Sequence, residues 1–164
     1  MVLILRIART AHLNKENPVT KLVIQDITND DFGGWLPLWK ENNLGQDKDE
    51  VTTETWMRLN DKNSAVKGMT AKIGDDIAAI MHYILHPTTG QIEPVCYMQD
   101  LFVGEKYRRQ GIARKMVHAL IKRGQKENWA RIYWLADNNN EGAQALYKNL
   151  GVKIDFTLHV QPLK

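Results

Sequence analysis

The stretch from Gly104 to Gly111 has the residue types needed to bind an anion. It runs Gly-Glu-Lys-Tyr-Arg-Arg-Gln-Gly, and an apolar segment with helical spacing begins directly after it at Ile112. The first N–H groups of a helix have no partner inside the helix and carry partial positive charge. Glycine lets a bulky anion approach the backbone, and Arg108 and Arg109 can add charge-assisted hydrogen bonds. The pattern therefore predicts a site for a phosphate-bearing ligand.

Two common phosphate-binding loops do not match this stretch. It lacks the Gly-Lys-Ser/Thr ending of a Walker A loop and the three glycines of a dinucleotide-binding loop. The charge distribution agrees with an anion site, because residues 104–131 carry nine basic residues against two acids while the whole chain has a net charge of only +3. Most charge runs are solvated helix faces, so the loop pattern is what favours the anion site.

Hydrophobic spacing predicts the elements that position this loop. Apolar runs predict six strands, at 21–27, 65–73, 77–85, 95–103, 130–136 and 152–160. Helical spacing predicts four helices: one from the caps at 28–31 to Gly45, a short one from Thr52, one from Ile112, and one around Ala143 that ends at Gly151. The order strand, two helices, three strands, helix, strand, helix, strand indicates a single mixed α/β domain.

Two segments in this order resemble the signatures of the GNAT N-acetyltransferase superfamily. Residues 108–113, Arg-Arg-Gln-Gly-Ile-Ala, fit its acetyl-CoA loop, Gln/Arg-x-x-Gly-x-Gly/Ala. Residues 140–147, followed by Gly151, resemble its second signature, Asn-x-x-Ala-x-x-Leu-Tyr and a glycine. The resemblance covers residues 21–164. Residues 96–103 with Tyr133-Trp134 resemble a branch that includes fungal acetyltransferases of histones, polyamines and D-amino acids and many bacterial relatives.

The resemblance implies a fold, a co-substrate and a set of binding residues. The fold is a mixed central sheet that splays at the acetyl-CoA site and is flanked by about four helices. The strand before the loop pairs its backbone with pantetheine, the loop N–H groups hold the pyrophosphate, and Tyr147 stands near the CoA sulfur. The implied acetyl-CoA-binding residues are Leu101, Phe102, Val103, Arg108, Arg109, Gln110, Gly111, Ile112, Ala113, Arg114, Asn140, Ala143 and Tyr147.

Acetyl transfer to an amine requires three chemical groups besides this binding site. An alkylamine is mostly protonated at pH 7 and must lose a proton before it attacks. A donor must stabilise the carbonyl oxygen, which a strand amide near Leu101 can do, and Tyr147 can protonate the leaving thiolate. Gln99 stands where several family members place a glutamate base, and it cannot accept a proton. Asp100 is our candidate for the general base, acting directly or through water. Each of the two proposed catalytic residues also fits a structural role: Asp100 as a hydrogen-bond acceptor and Tyr147 as an aromatic residue of the core.

The acceptor is predicted from charge. Residues 30–61 contain eight acids against three bases, and in the family the two early helices build the substrate groove. A cationic amine, such as a polyamine or a basic peptide, is therefore expected, with D-amino acids as the competitor through the branch resemblance. Gln99, Glu54 and Trp56 are the predicted substrate-binding residues, and Trp56 fits a core position equally well.

Several other patterns have simpler readings. His82 and His86 share a strand face but lack a third metal ligand, so we predict no metal site and packed or surface histidines. Cys96 fits a buried apolar position, and a single cysteine favours a reducing, cytoplasmic compartment.

No apolar run reaches membrane-spanning length. Residues 1–20 are predicted to be an extra strand or tail, with a mitochondrial presequence as the alternative.

The predicted activity has rivals from other functional classes. One is a domain of the same fold that binds CoA without catalysis. Another is a nucleic-acid binder that uses the basic face, but the arginines of residues 104–131 lack the interleaved aromatic residues of a single-strand binder. A small amine substrate is the expected partner, with no membrane partner, and a homodimer is one option for its assembly.

Overall fold

The computed structural model describes residues 21–42, 48–155 and 157–163. Its single sheet has five strands in chain order: β1 Leu22–Asp26, β2 Val66–Ile73, β3 Asp76–Thr88, β4 Gln91–Val103 and β5 Arg131–Trp134. Four α-helices accompany it: α1 Phe32–Asn42, α2 Asp49–Asn60, α3 Ile112–Lys126 and α4 Glu141–Tyr147. The predicted mixed α/β fold with four helices is confirmed. The predicted tail at 1–20 and the predicted helix end at Gly45 lie outside the described residues.

The sheet opens between its last two strands. Strands β1 to β4 are antiparallel, whereas β5 runs parallel to β4. The pairing of β4 with β5 covers only Val95–Met98 against Arg131–Trp134, and β4 continues to Val103. The expected splay is therefore present, and it lies immediately before the predicted anion-binding loop.

Each face of the sheet is covered by a different set of helices. On one face α3 packs Met116, Val117 and Leu120 against β3 and β4. On the other face Trp35 of α1 and Leu59 of α2 pack around Ile80 of β3. Full burial of such side chains contributes about 1.5–3 kcal/mol each, so both layers hold the strands at the opening in place.

The first two helices differ from their predicted form in ways that the structure explains. Of the two glycines that weaken α1 on propensity, Gly34 lies close to β3, whereas a β carbon at Gly33 would meet nothing within 4 Å. A β carbon at Gly34 would lie only 3.0 Å from Ile77 Cδ1. Helix α2 begins at Asp49, before the predicted start at Thr52, with Asp49 and Glu50 in its first turn. Carboxylates there are favourable at the positive end of the helix dipole.

The C-terminal predictions are wrong for the described residues. Helix α4 ends at Tyr147, four residues before the predicted cap at Gly151, whose backbone instead passes against the ring of Trp134. Residues 151–155 and 157–163 form no strand. Alternating apolar residues need a hydrogen-bonded partner strand, and the described chain places none beside them. The exposed apolar side chains are Val152, Ile154, Leu158, Val160 and Leu163.

Within residues 21–42, 48–155 and 157–163, no helix has both the length and the apolar character needed to cross a bilayer.

Candidate active site

The parting of β4 and β5 leaves a cleft of roughly 250 Å³. Residues 98–101 of β4 and residues 134–137, at and beyond the end of β5, line it together with side chains from α4. The cleft therefore brings residues 98–101 of β4 together with residues of the second signature, which lie about forty positions later in the chain. The predicted site residues that line it are Gln99, Asp100, Leu101, Asn140, Ala143 and Tyr147.

Tyr147 combines a packed ring with a position on the cleft. Its ring centroid lies 5.1 Å from that of Trp134 at an angle of 45°. Burial raises the pKa of the Tyr147 hydroxyl above its ordinary value of 10. The hydroxyl is therefore protonated at neutral pH, which is the state required of a proton donor. Tyr147 therefore both packs against Trp134 and lines the cleft.

Asn140 and Ala143 form the beginning of α4. Asn140 is the N-cap, and its Oδ1 accepts a hydrogen bond of 3.0 Å from the backbone N–H of Ala143. Such a cap stabilises a helix by about 1 kcal/mol. Asn140 thus has a structural role that holds α4 against the cleft, in addition to its place in the lining.

A β-bulge shapes the β4 side of the cleft. His82 pairs with Asp100 and Tyr83 pairs with Met98, so Gln99 is an extra residue with no partner on β3. Gln99 is exposed in the cleft lining, whereas the Asp100 side chain is only 7% exposed. Bulges commonly redirect side chains beside active sites. The two neighbouring residues therefore have different environments: Gln99 faces solvent, and Asp100 is held in the protein.

Asp100 has a histidine partner that sequence reasoning missed. Asp100 Oδ1 lies 2.8 Å from His82 Nδ1, and Trp35 Nε1 donates to His82 Nε2 at 2.9 Å. His82 is buried, as one of the two sequence interpretations had it. No group of three or more histidine, cysteine or acidic residues within the described chain is arranged to hold a metal. The pairing depends on strand register across a bulge, so local sequence carries no signal for it.

The predicted anion-binding loop has, near its end, two residues with left-handed backbone conformation. A 3-10 helix spans Glu105–Tyr107, and Gly111 caps α3 with φ at +74°. Arg109 also has positive φ, at +63°. A β carbon at Gly111 would meet nothing within 4 Å, so the space in front of this residue is open. Left-handed residues beside a helix N-terminus turn successive N–H groups toward one point, which suits a phosphate group.

Side-chain contacts hold this loop against the sheet. Asp76, in β3, accepts hydrogen bonds from the Tyr107 hydroxyl at 2.6 Å and from Lys106 Nζ at 3.0 Å. These contacts lower the pKa of the Asp76 carboxyl, with the Tyr107 bond as the larger cause. Arg108 Nε donates to the carbonyl of Val103 at 3.1 Å, and its guanidinium lies 5.4 Å from the Phe102 ring centre. Arg108 thus ties the loop to β4.

The remaining predicted cofactor residues divide between exposed and buried positions. Arg109, Gln110 and Arg114 are exposed, and Gln110 donates to the carbonyl of Lys106 at 3.2 Å. Ile112 is buried in the core, and Ala113 is half-buried. Ile112 can therefore offer only its backbone N–H to a ligand, as the first residue of α3.

Two of the predicted substrate residues lie outside the cleft. Glu54 is exposed on α2 and pairs with Arg58 at 2.8 Å. Trp56 packs against Trp35 and Phe32, with ring centres 4.9 and 5.1 Å apart respectively. The structure thus gives Glu54 an ion-pair partner and Trp56 a half-buried position packed against the core, and of the three only Gln99 lines the cleft. The acidic surface is also reduced, because Asp31 is buried against Lys72.

Asn42 is a cleft residue that the sequence did not indicate. It lines the cleft, and its buried side-chain NH₂ has no hydrogen-bond partner within residues 21–42, 48–155 and 157–163. Its place at the end of α1 follows from packing against β3 and not from any motif. The donor set of the cleft therefore includes an amide besides the Tyr147 hydroxyl.

These features fit acetyl-CoA. The open space and N–H groups at Gly111 suit a pyrophosphate. The edge of β4 beyond Met98, which β5 leaves uncovered, offers backbone groups to an extended amide-containing chain, as an open strand edge does. The Tyr147 hydroxyl and the Asp100 carboxylate supply a proton donor and a proton acceptor in one cleft. The set matches the needs of transfer from a thioester to an amine.

Comparison with known proteins agrees with this geometry. Residues 23–152 match the family model of the acetyltransferase (GNAT) family. The D-amino-acid N-acetyltransferase HPA3 of Saccharomyces cerevisiae is 33% identical over 145 residues, covering 85% of this chain and 89% of the relative. The thialysine N-epsilon-acetyltransferase of Caenorhabditis elegans is 30% identical over 99 residues, covering 59% of this chain and 60% of the relative.

Solved structures share the fold at lower sequence identity. A ribosomal-protein-alanine N-acetyltransferase from Brucella melitensis has a TM-score of 0.74 at 15% identity, covering 87% of this chain and 99% of its own. AAC(6')-Iy in complex with the bisubstrate analogue CoA-S-monomethyl-acetylneamine has a TM-score of 0.73 at 15% identity. The match covers 88% of this chain and 99% of AAC(6')-Iy. Motifs, cleft, family match and fold agree, and the chain is therefore an N-acetyltransferase that belongs to the GNAT family.

Proposed function

We propose that the enzyme transfers the acetyl group of acetyl-CoA to the primary amine of a small acceptor by direct attack. One observation carries the proposal. The cleft at the β4–β5 opening holds Asp100 and Tyr147 together, and the anion-binding loop follows β4 directly. AAC(6')-Iy, a fold neighbour solved with a CoA-containing bisubstrate analogue, supports the choice of co-substrate.

The binding step is assigned to backbone groups. Acetyl-CoA supplies an acyl group activated as a thioester. The N–H groups of residues 109–113 hold the pyrophosphate, and Arg109 and Arg114 add positive charge near it. The free edge of β4 at Leu101 and Val103 pairs with the pantetheine. A backbone N–H near Leu101 donates to the carbonyl oxygen, where negative charge develops during transfer.

The proton steps are assigned to two side chains. The amine enters as an ammonium ion and must give up two protons to become an amide. Asp100 takes the first proton, directly or through water, which frees the nitrogen lone pair for attack. Tyr147 gives its hydroxyl proton to the departing thiolate and regains a proton from the amine nitrogen or from solvent. One proton thus leaves with the CoA thiol, and one is released to water.

The acceptor class is proposed from the relatives' names and from the charge of the early helices. HPA3 is named for D-amino acids, and two further relatives are named for thialysine and L-2,4-diaminobutyric acid. We place amino-acid acceptors ahead of polyamines and basic peptides, because two predicted acids of the early helices, Asp31 and Glu54, are engaged by Lys72 and Arg58. We also assign the enzyme to the cytoplasm, because its single cysteine fits a reducing compartment.

The test measures CoA release from acetyl-CoA with matched panels of D-amino acids, diamino acids, polyamines and a lysine-rich peptide. We expect turnover with a primary amine and none with a tertiary amine. Salt screens exposed charges, so a Michaelis constant for a polyamine that rises with salt would instead favour polyamines as acceptors, bound through the acidic surface of the early helices. Binding of acetyl-CoA without turnover of any amine would refute catalysis and leave a CoA-binding module.

The nucleic-acid alternative is tested in parallel. A gel-shift titration with single- and double-stranded DNA and RNA at physiological salt is expected to show no retention. Retention that falls steeply with salt would instead assign the basic residues of 104–131 to phosphate backbones.

A further inference from the structure

Three buried side chains from three elements form a hydrogen-bonded chain that ends at the cleft. Trp35 of α1 donates from Nε1 to His82 Nε2 at 2.9 Å, and His82 Nδ1 lies 2.8 Å from Asp100 Oδ1. Trp35 is completely buried, and His82 is 4% exposed. Asp100 lines the cleft. The chain thus runs from the α1–β3 core to the carboxylate that the proposed mechanism uses as a proton acceptor.

The tryptophan fixes the tautomer of the histidine. An indole N–H is a donor only, so Nε2 of His82 must present its lone pair to Trp35. The ring proton of the neutral imidazole therefore lies on Nδ1, which donates to Asp100 Oδ1. The other carboxylate oxygen, Oδ2, receives no hydrogen bond from any described side chain. The hydrogen bonds therefore leave Oδ2 as the acceptor that remains available at the cleft.

The histidine positions Asp100 without neutralising it. A neutral imidazole carries no charge, and no lysine or arginine of the described residues lies within ion-pair distance of Asp100. A buried carboxylate without a cation is unfavourable, and the cleft is where a cation can reach it. A protonated amine in the cleft would supply the missing positive charge.

We propose that His82 is a positioning residue that holds Asp100 for proton transfer, and that Trp35 sets the tautomer required for this. The inference rests on the proposed N-acetyltransferase function and deepens it. Asp100 Oδ2 takes a proton from the ammonium: an N–H bond breaks, an O–H bond forms, and the electron pair stays on nitrogen. His82 neither gains nor loses a proton, and Oδ2 later returns its proton to water.

The neighbouring Trp39 provides a matched control. Its ring lies 5.6 Å from that of His82 and stacks on Trp35 at 5.3 Å, but its Nε1 donates to Thr52 Oγ1 at 3.1 Å. Trp35→Phe and Trp39→Phe therefore remove similar ring area and one indole hydrogen bond each. Only Trp35→Phe removes the donor that faces His82.

The first experiment compares these two variants. We expect Trp35→Phe to lower kcat for the amine about ten- to a hundredfold, as small misplacements of reacting groups do, with little change in the Michaelis constant for acetyl-CoA. Trp39→Phe should keep kcat within about twofold of the wild type, and melting curves should show similar losses of stability. Equal kcat losses in both variants would overturn the role of Trp35.

A second pair of variants tests the atom that His82 uses. The side-chain amide of His82→Asn reaches the position of Nδ1 and can still donate to Asp100, whereas that of His82→Gln reaches the position of Nε2. Both change the core to a similar degree. We expect the Asn variant to retain much more of kcat than the Gln variant, and equal values at equal melting temperature would contradict the proposal.

An independent measurement on the wild-type protein needs no enzymatic activity. Nitrogen-15 NMR of uniformly labelled wild-type protein reports which imidazole nitrogen of His82 carries the proton, with the signal assigned by its absence in His82→Asn. We expect the Nδ1–H tautomer. An Nε2–H tautomer overturns the inference even in an active enzyme, whereas an inactive wild type showing Nδ1–H would refute the proposed function and leave this hydrogen-bonded arrangement standing.

Discussion

The backbone shape of Gly111 permits a quantitative test of the acetyl-CoA site. Its φ of +74° is a left-handed conformation that costs a non-glycine residue about 1–2 kcal/mol. A β carbon there would meet no protein atom within 4 Å. Gly111→Ala should therefore fold, with a melting temperature lowered by roughly 2–8 °C for a domain of this size.

The effect on ligand binding should be larger than the effect on stability. The alanine methyl group would project into the space where the pyrophosphate has to approach the N–H groups. Loss of one hydrogen bond to a charged group removes about 1.5–3 kcal/mol, which weakens the affinity for acetyl-CoA about ten- to a hundredfold. Isothermal titration calorimetry measures this directly, and differential scanning calorimetry gives the change in stability.

Gly74 provides the control for backbone strain. It lies in the turn between β2 and β3 and has φ at +62°, so Gly74→Ala carries a comparable strain outside the anion-binding loop. We expect Gly74→Ala to lose similar stability and to bind acetyl-CoA like the wild type. Wild-type affinity in Gly111→Ala, or an equal loss of affinity in Gly74→Ala, would refute the assignment of the loop.

Two further predictions concern buried groups. Tyr147→Phe keeps the ring against Trp134 and should leave the melting temperature and acetyl-CoA affinity nearly unchanged, while steady-state kcat falls about 10²–10⁴-fold through loss of the proton donor. Near-normal turnover would remove Tyr147 from the mechanism. Burial raises the pKa of the Cys96 thiol to about 12, so at pH 8 roughly one thiol in ten thousand is ionised. An aromatic disulfide reagent should therefore label Cys96 only after denaturation, and rapid labelling of the native protein would contradict its burial.

The parts of the molecule that sequence predicted are those with local signals. The loop and α3 follow from Gly111 and from apolar pairs that repeat along one helix face. The end of the chain shows the opposite case, because the alternation from Val152 to Val160 predicts a strand but cannot supply its partner. Strand pairing joins distant segments, and a pattern within one segment carries no information about them.

The candidate site divides in the same way. Tyr147, which lines the cleft, could be singled out from the sequence because it belongs to a motif. The contact between His82 and Asp100 could not, because it joins positions eighteen residues apart across a bulge whose place in the register is set by packing. Trp56 shows the ambiguity of aromatic residues, since core and pocket positions favour the same residue type and only the packing of α2 decided for the core.

The bulge at Gln99 has a consequence for how this fold can change over evolutionary time. Gln99 has no partner on β3 and points to solvent, so the alternation of buried residues on either side of it does not depend on its identity. Replacing it would disturb neither the core nor the ladder of strand hydrogen bonds. A position that lines the cleft yet contributes little to folding can accept many residue types, so selection for a new acceptor amine can act there at little risk to the scaffold.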